Sequence, residues 1–220
     1  MSVTLEEYSR NCPATFEEFY NQAINKSPFD LDWNQRGFNH RSHGNDFNWS
    51  CQSALMPTMV LLGSLAEVVI QTGEREGYSG AAFAKGLSLN GKERKELYVI
   101  DATRQPIQDK FDTYTFPCKR TFINRNVLEI QLPKELPECD VMFIDTLHEA
   151  NHVWSELHNL APLCKKYLVF HDTVSQGQYS LDTNTPLGIN MAIDKYTEEN
   201  GFEFISELFF NHGMRIYKRK

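Results

Sequence analysis

Two short phrases in the chain put an acid and an imidazole side by side. Asp145-Thr146-Leu147-His148 follows the apolar run Val141-Met142-Phe143-Ile144, and His171-Asp172-Thr173 follows Leu168-Val169-Phe170. Short apolar runs bounded by polar residues read as strands buried on both faces. Two such strands, each ending in an aspartate and a histidine, deliver a convergent polar cluster to one edge of a sheet, where open α/β sheets place their sites. Oxygen ligands from Asp145 and Asp172 suit magnesium or a similar divalent ion, and an imidazole such as His148 can take a hydroxyl proton near neutral pH. The plainer use of these carboxylates is capping: Asp145 of the helix that follows it, Asp172 of the next loop.

A second constellation lies upstream. The run Val68-Val69-Ile70 leads into Gln71-Thr72-Gly73-Glu74-Arg75-Glu76-Gly77-Tyr78-Ser79. A Gly-x-x-x-Gly-x-Ser turn between strand and helix lets backbone approach a ligand closely, because glycine lacks a side chain and tolerates positive φ. The next apolar run, Leu97 to Ile100, ends in Asp101. An acid at a strand end roughly 20 to 30 residues past such a turn is placed to accept hydrogen bonds from ribose hydroxyls. A tight turn without a ligand and a solvated strand-end aspartate are the bland alternatives.

The elements needed to hold these residues are visible as alternating patterns. Strands are expected at Val68 to Ile70, Leu97 to Ile100, Thr121 to Ile123, Val141 to Ile144 and Tyr167 to Phe170. Helices are expected at Gln52 to Glu67, interrupted by Pro57, then at Ala81 to Leu89, His152 to Leu163 and Met191 to Glu199, while 102–120 carries no clear pattern. Phe202 to Phe210 and Gly213 to Tyr217 read as an antiparallel pair around the turn Asn211-His212-Gly213. The fold class is therefore α/β: a doubly wound, mostly parallel, Rossmann-like sheet with a C-terminal antiparallel hairpin. Residues 1–50, with Phe16, Phe19 and Tyr20 at helical spacing and then an irregular polar stretch, form an N-terminal helix and lid-like extension, and 51–220 form the main domain.

Bulk properties narrow the classes. Acids outnumber bases, giving a net charge of -7, so attraction to nucleic acid backbone is not expected. No apolar run is long enough for a membrane span, and the acidic N-terminus does not read as a signal peptide, so a cytoplasmic setting is expected. The 5 cysteines are dispersed and form no CxxC pair, which reads as ordinary thiols. His40 and His43 in the N-terminal loop, and His152 and His158 in a helix after the site, read as incidental or packing residues. The Ser- and Asn-containing stretch Gln176 to Gly188 is placed to cover an acceptor pocket.

From Val68 to Phe170 the chain resembles class I S-adenosylmethionine-dependent methyltransferases. The phrases FIDTLH and YLVFHDT are similar to those of small-molecule O-methyltransferases that include the cephalosporin hydroxylase-like and macrolide sugar enzymes. The resemblance implies that Gly73, Gly77 and Ser79 contact the methionine part of the cofactor, with Gln71 beside them, and that Asp101 holds the ribose. It also implies that Asp145, His171 and Asp172 surround a divalent metal, with His148 as the general base. Two positions depart from the family pattern: Gln71 stands where an acid is usual, and His171 replaces the first acid of a pair.

The function implied is methyl transfer from S-adenosylmethionine to a hydroxyl of a small molecule, a sugar or sugar-bearing metabolite among them, with or without a metal. A degenerate module that binds without catalysis is the alternative, and a nicotinamide-dependent oxidoreductase is a third that shares the glycine turn and Asp101. The acceptor is the expected partner; nucleic acid and membrane are not, and homo-oligomerisation stays open.

Overall fold

Five strands, β1 (Val68–Thr72), β2 (Glu96–Asp101), β3 (Lys119–Asn124), β4 (Cys139–Ile144) and β5 (Cys164–His171), run parallel. Two more, β6 (Phe202–Leu208) and β7 (Met214–Arg219), complete one sheet in the order β3-β2-β1-β4-β5-β7-β6, with β7 antiparallel to both of its neighbours. The computed structural model describes residues 13–24, 55–75, 77–129, 131, 135–180, 187–209 and 212–220. His40, His43, Cys12, Cys51 and the middle of the 176–188 loop lie outside the described residues. Those described carry six α-helices: α1 (Phe16–Ile24), α2 (Met56–Ser64), α3 (Tyr78–Leu89), α4 (Pro106–Phe111), α5 (Ala150–Leu160) and α6 (Ile189–Glu199).

Side chains alternate across each strand, so the sheet feeds two cores. Val69, Val99, Val141, Phe143 and Val169 point to one face and pack with α1 to α4, where Phe83 lies 5.5 Å from Phe143, centroid to centroid. Ile70, Met142, Ile144, Leu168 and Phe170 point to the other and meet Val153, Leu157 and Leu160 of α5 and Ile193 and Tyr196 of α6. Burial on both faces is why these strands read as continuous apolar runs instead of alternating ones. The expected doubly wound sheet with its terminal hairpin is present. Helix α1 belongs to the first core, with Phe19 stacked 5.9 Å from Tyr78.

Several boundaries differ from the sequence expectation. Pro57 does not interrupt its helix but sits in the first turn of α2, where its fixed φ suits a helix start and its missing N–H costs nothing. Helix α3 begins at Tyr78, so Ser79 lies in its first turn rather than ahead of it. The unclear 102–120 interval holds the short α4. Helix α5 begins at Ala150 with Glu149 as its N-cap, so Asp145 and His148 lie on the loop between strand and helix, and Asp145 is not the helix cap.

Candidate active site

The strand order reverses between β1 and β4, whose carboxyl ends diverge into loops on opposite sides of the sheet and leave a crevice there. The glycine turn after β1 and the Asp145 loop after β4 flank it and touch directly. Gly73 adopts φ 78, and a side chain there would collide with the carbonyl oxygen of Asp145, so only glycine fits. The Asp145 N–H in turn donates to the Thr72 carbonyl at 3.0 Å, and the Gly73 N–H to Ile100 at 2.8 Å. Gly77, at φ 81, caps α3 with the Phe111 ring against it.

Asp101 is brought to this turn from β2. Its Oδ2 accepts the Glu74 N–H and its Oδ1 the Thr103 N–H, both at 2.8 Å. Burial raises its carboxyl above the usual range, outweighing both hydrogen bonds. Each oxygen keeps a second lone pair for a hydroxyl donor. Gln71 is fully buried; its Nε2 donates to the Gly73 carbonyl at 2.8 Å and to Ser79 Oγ at 2.7 Å, while Oε1 has no hydrogen-bond partner among the described residues. A buried acceptor left without a donor beside a glycine cradle suits the amino-acid end of an adenosyl donor. Gln71, Gly73, Gly77, Ser79 and Asp101 thus lie in one neighbourhood.

The second neighbourhood gathers Asp145, His148, His171 and Asp172. His148 Nε2 lies 2.7 Å from Asp172 Oδ2 and 3.6 Å from Asp145 Oδ1, and His171 Nδ1 lies 3.3 Å from Asp145 and 3.2 Å from Asp172. Burial disfavours charge on His171, yet the two aspartates hold its pKa well above the ordinary imidazole value. Asp172 is held well below the usual carboxylate range and Asp145 below it: burial opposes this, and the charge of His171 with hydrogen bonds from both histidines outweighs it. One atom each from Asp145, His148 and Asp172 lies within 4.8 Å of the others, a donor set of two carboxylates and an imidazole that fits a divalent ion.

Sequence reasoning missed three participants. His212, from the turn between β6 and β7, has Nδ1 3.9 Å from Asp172 Oδ1. Glu74 is buried inside the glycine turn and pairs with Arg120 of β3 at 2.5 Å. Glu156 of α5 is fully buried behind the Asp145 loop, where Thr146 Oγ1 donates to it at 2.6 Å. Only the Asn-His-Gly turn signal marked His212, and it spoke for a hairpin, not for a site.

Glu156 carries a pH signature. Burial raises its carboxyl to about 7, opposed by hydrogen bonds from Thr146 and Thr72. In the unfolded chain the acid ionises near its ordinary value, so between about 4.5 and 7 the unfolded state binds fewer protons than the native state and stability falls as pH rises. Above that window both states are ionised and the loss, roughly 3 to 4 kcal/mol, is constant. Glu156→Gln is expected to melt several degrees above the parent at pH 8 and to show no such advantage at pH 5. An equal effect at both pH values in thermal melts would contradict the assignment.

The fold has counterparts among known proteins. No curated protein sequence matches the chain. A family model described as "Methyltransferase domain" matches residues 70–173. Among solved structures, an O-methyltransferase from Bacillus cereus in complex with SAH is 13% identical, covering 76% of this chain and 81% of its own, with a TM-score of 0.56. The O-methyltransferase TomG from Streptomyces achromogenes, in complex with SAM, is 12% identical over 76% of this chain and 80% of its own, with a TM-score of 0.55. The N-methyltransferase NodS from Bradyrhizobium japonicum, in complex with SAH, is 11% identical over 93% and 98%, with a TM-score of 0.54. The glycine turn, Asp101, the Asp145 loop and the Asp172 strand end all fall within the matched stretch, so residues 70–173 are similar to a methyltransferase domain, and the sheet that carries them shares the fold of these methyltransferase structures.

Proposed function

We propose that the protein transfers the methyl group of S-adenosylmethionine to a hydroxyl of a small molecule, a sugar or another hydroxylated metabolite. The observation that carries the reading is the junction of the two neighbourhoods: the Gly73 cradle is packed against the backbone of Asp145, whose side chain belongs to the Asp145/His148/Asp172 cluster. Gln71, Gly73, Gly77 and Ser79 would face the methionine part of the donor and Asp101 its ribose. Methyl transfer needs acceptor oxygen and methyl carbon held in line, and the cluster stands beside the place where they would meet. An amine acceptor, once neutral, attacks with its own lone pair, whereas a hydroxyl gains most from a neighbouring base or cation, which favours an oxygen acceptor here.

Asp145, His148 and Asp172 would hold a divalent ion such as Mg2+, which when bound would make the acceptor hydroxyl more acidic. His171 sits beneath them as a buried counter-charge to the two carboxylates. Asp145 fixes both the cradle, through its backbone, and the cluster, through its carboxylate. S-adenosylhomocysteine is expected to raise the melting temperature, because a ligand that binds only the native state stabilises it, and Asp101→Ala should remove most of that shift. An equal shift in the variant, or none in the parent, would overturn the cofactor assignment. A module that binds without catalysis would show the shift but yield no labelled product from a tritiated methyl donor, and the absent charge at Gln71 is the feature that favours it.

A further inference from the structure

Two glycines in the left-handed region, Gly73 at φ 78 and Gly77 at φ 81, bound the turn after β1. Glycine permits many backbone conformations, so neither end of the turn fixes the orientation of the peptides between them. Glu74, directly after Gly73, has two attachments that do. Its backbone N–H donates to Asp101 Oδ2 at 2.8 Å, and its side chain, 0% exposed, turns into the protein. There Oε2 accepts from Gln108 Nε2 of α4 at 2.8 Å and from the Arg120 guanidinium of β3 at 2.5 Å. Arg120 also donates to Gln108 Oε1, which closes a cluster of three side chains from three elements.

The surroundings are shaped to this cluster. A side chain at position 80 would stand 1.8 Å from Glu74 Oε1, so the first turn of α3 leaves a notch for the carboxylate. The rings of Phe111, Phe116 and Phe122 box in the Arg120 guanidinium and limit its movement. A buried ion pair adds little to stability over apolar residues of the same volume, because desolvation offsets the attraction. What it adds is direction: hydrogen bonds in a fixed fork allow one geometry where apolar side chains would allow several. Through the Glu74 peptide that geometry reaches Asp101, whose other oxygen accepts the Thr103 N–H at 2.8 Å.

We propose that Glu74, Gln108 and Arg120 are positioning residues for recognition of the cofactor ribose. Their side chains fix the peptide of residue 74, whose N–H holds Asp101 Oδ2, and the carboxylate thereby keeps one orientation toward the ribose hydroxyls. All three act through the backbone of residue 74 and the Asp101 carboxylate. The inference rests on the assignment of Asp101 to the ribose made above and adds what gives that acid its selectivity for a hydroxylated sugar ring.

The triple variant Glu74→Met, Gln108→Leu, Arg120→Met replaces the cluster by apolar side chains and keeps the N–H of residue 74. Replacement of a buried charged cluster as a whole leaves no charge without a partner, so the variant is expected to fold. Parent and variant are titrated by calorimetry with S-adenosylhomocysteine and with its 2′-deoxy and 3′-deoxy analogues. The parent is expected to prefer the full ribose over at least one analogue by roughly 10-fold or more, and the triple variant by less than about 3-fold, because a carboxylate without a fixed orientation discriminates less. A parental preference in the triple variant overturns the inference, and so does an equal loss of affinity for all three ligands, which would mark the cluster as structural only. Gln108→Met, which keeps the ion pair, serves if the triple variant does not fold. It is expected to lower the preference by about 2- to 3-fold, and an unchanged preference overturns the inference. A parent that binds no S-adenosylhomocysteine, or binds all three ligands alike, removes the ribose assignment of Asp101 itself, and the inference falls with it.

Discussion

Asp172→Asn is expected to lower methyl transfer by roughly 10²- to 10⁴-fold while leaving S-adenosylhomocysteine binding close to that of the parent. The carboxylate stands at the meeting point of His148, His171 and His212, at 2.7, 3.2 and 3.9 Å, and Ser175 Oγ donates to it at 3.1 Å. Its backbone is left-handed, φ 59, a conformation asparagine adopts as readily as aspartate, so the variant removes charge without straining the turn. Without that charge the donor set loses one anionic ligand. His148→Ala is expected to fall in the same range if its imidazole completes the donor set. Tritiated methyl donor on an identified acceptor reads the loss, and calorimetry with S-adenosylhomocysteine reads the control. An Asp172→Asn protein with parental turnover would show that the cluster takes no part in the chemistry.

The second large effect is on stability and concerns Arg120. Its guanidinium pairs with Glu74 at 2.5 Å, bonds Gln108, and lies over the rings of Phe111, Phe116 and Phe122 at 5.1, 5.2 and 5.7 Å from their centroids. Arg120 and Glu74 side chains are 6% and 0% exposed. Removing one member of such a pair leaves the other charge buried without a counter-ion, which costs about 3 to 5 kcal/mol. Arg120→Met is therefore expected to lower the melting temperature by roughly 6 to 20 °C for a chain of this length. The double variant Arg120→Met with Glu74→Gln should recover a large part of the loss, because an uncharged pair no longer needs the missing partner. Thermal melts of the two single variants and the double variant give the coupling; strict additivity would mean that the pair does not act as a unit. Because Glu74 lies inside the glycine turn, Arg120→Met should also weaken S-adenosylhomocysteine binding.

Much of this site was visible in the chain before any folding. In a parallel sheet buried on both faces, each strand must be a short apolar run, and every such strand ends at the same edge. Asp101, Asp145 and Asp172 each follow such a run, so their common placement followed from direction alone, without knowledge of which strands are neighbours. The glycine turn was legible for a similar reason: positive φ and close backbone approach are local demands, and Gly73 answers both. The proline in α2 was misread because the periodic pattern starts at Gln52 whereas the helix starts at Met56, and periodicity does not locate a helix start.

What tertiary structure decided is the set of contacts between residues with no local relation. Insertion of β7 between β5 and β6 carries His212 to Asp172, 40 positions away in sequence, and no periodicity encodes which strand a hairpin will join. Glu74 and Arg120 look like solvated charges in the chain and become a buried pair only because α4 and the aromatic ring cluster close over them. Glu156 lies on a helix whose outer residues are polar, and only the packing of α5 beneath the β1 and β4 ends shows that its carboxyl faces inward. Patterning reports the direction in which a side chain leaves its own element; partner identity depends on which elements meet, and that is settled by the summed burial of both cores.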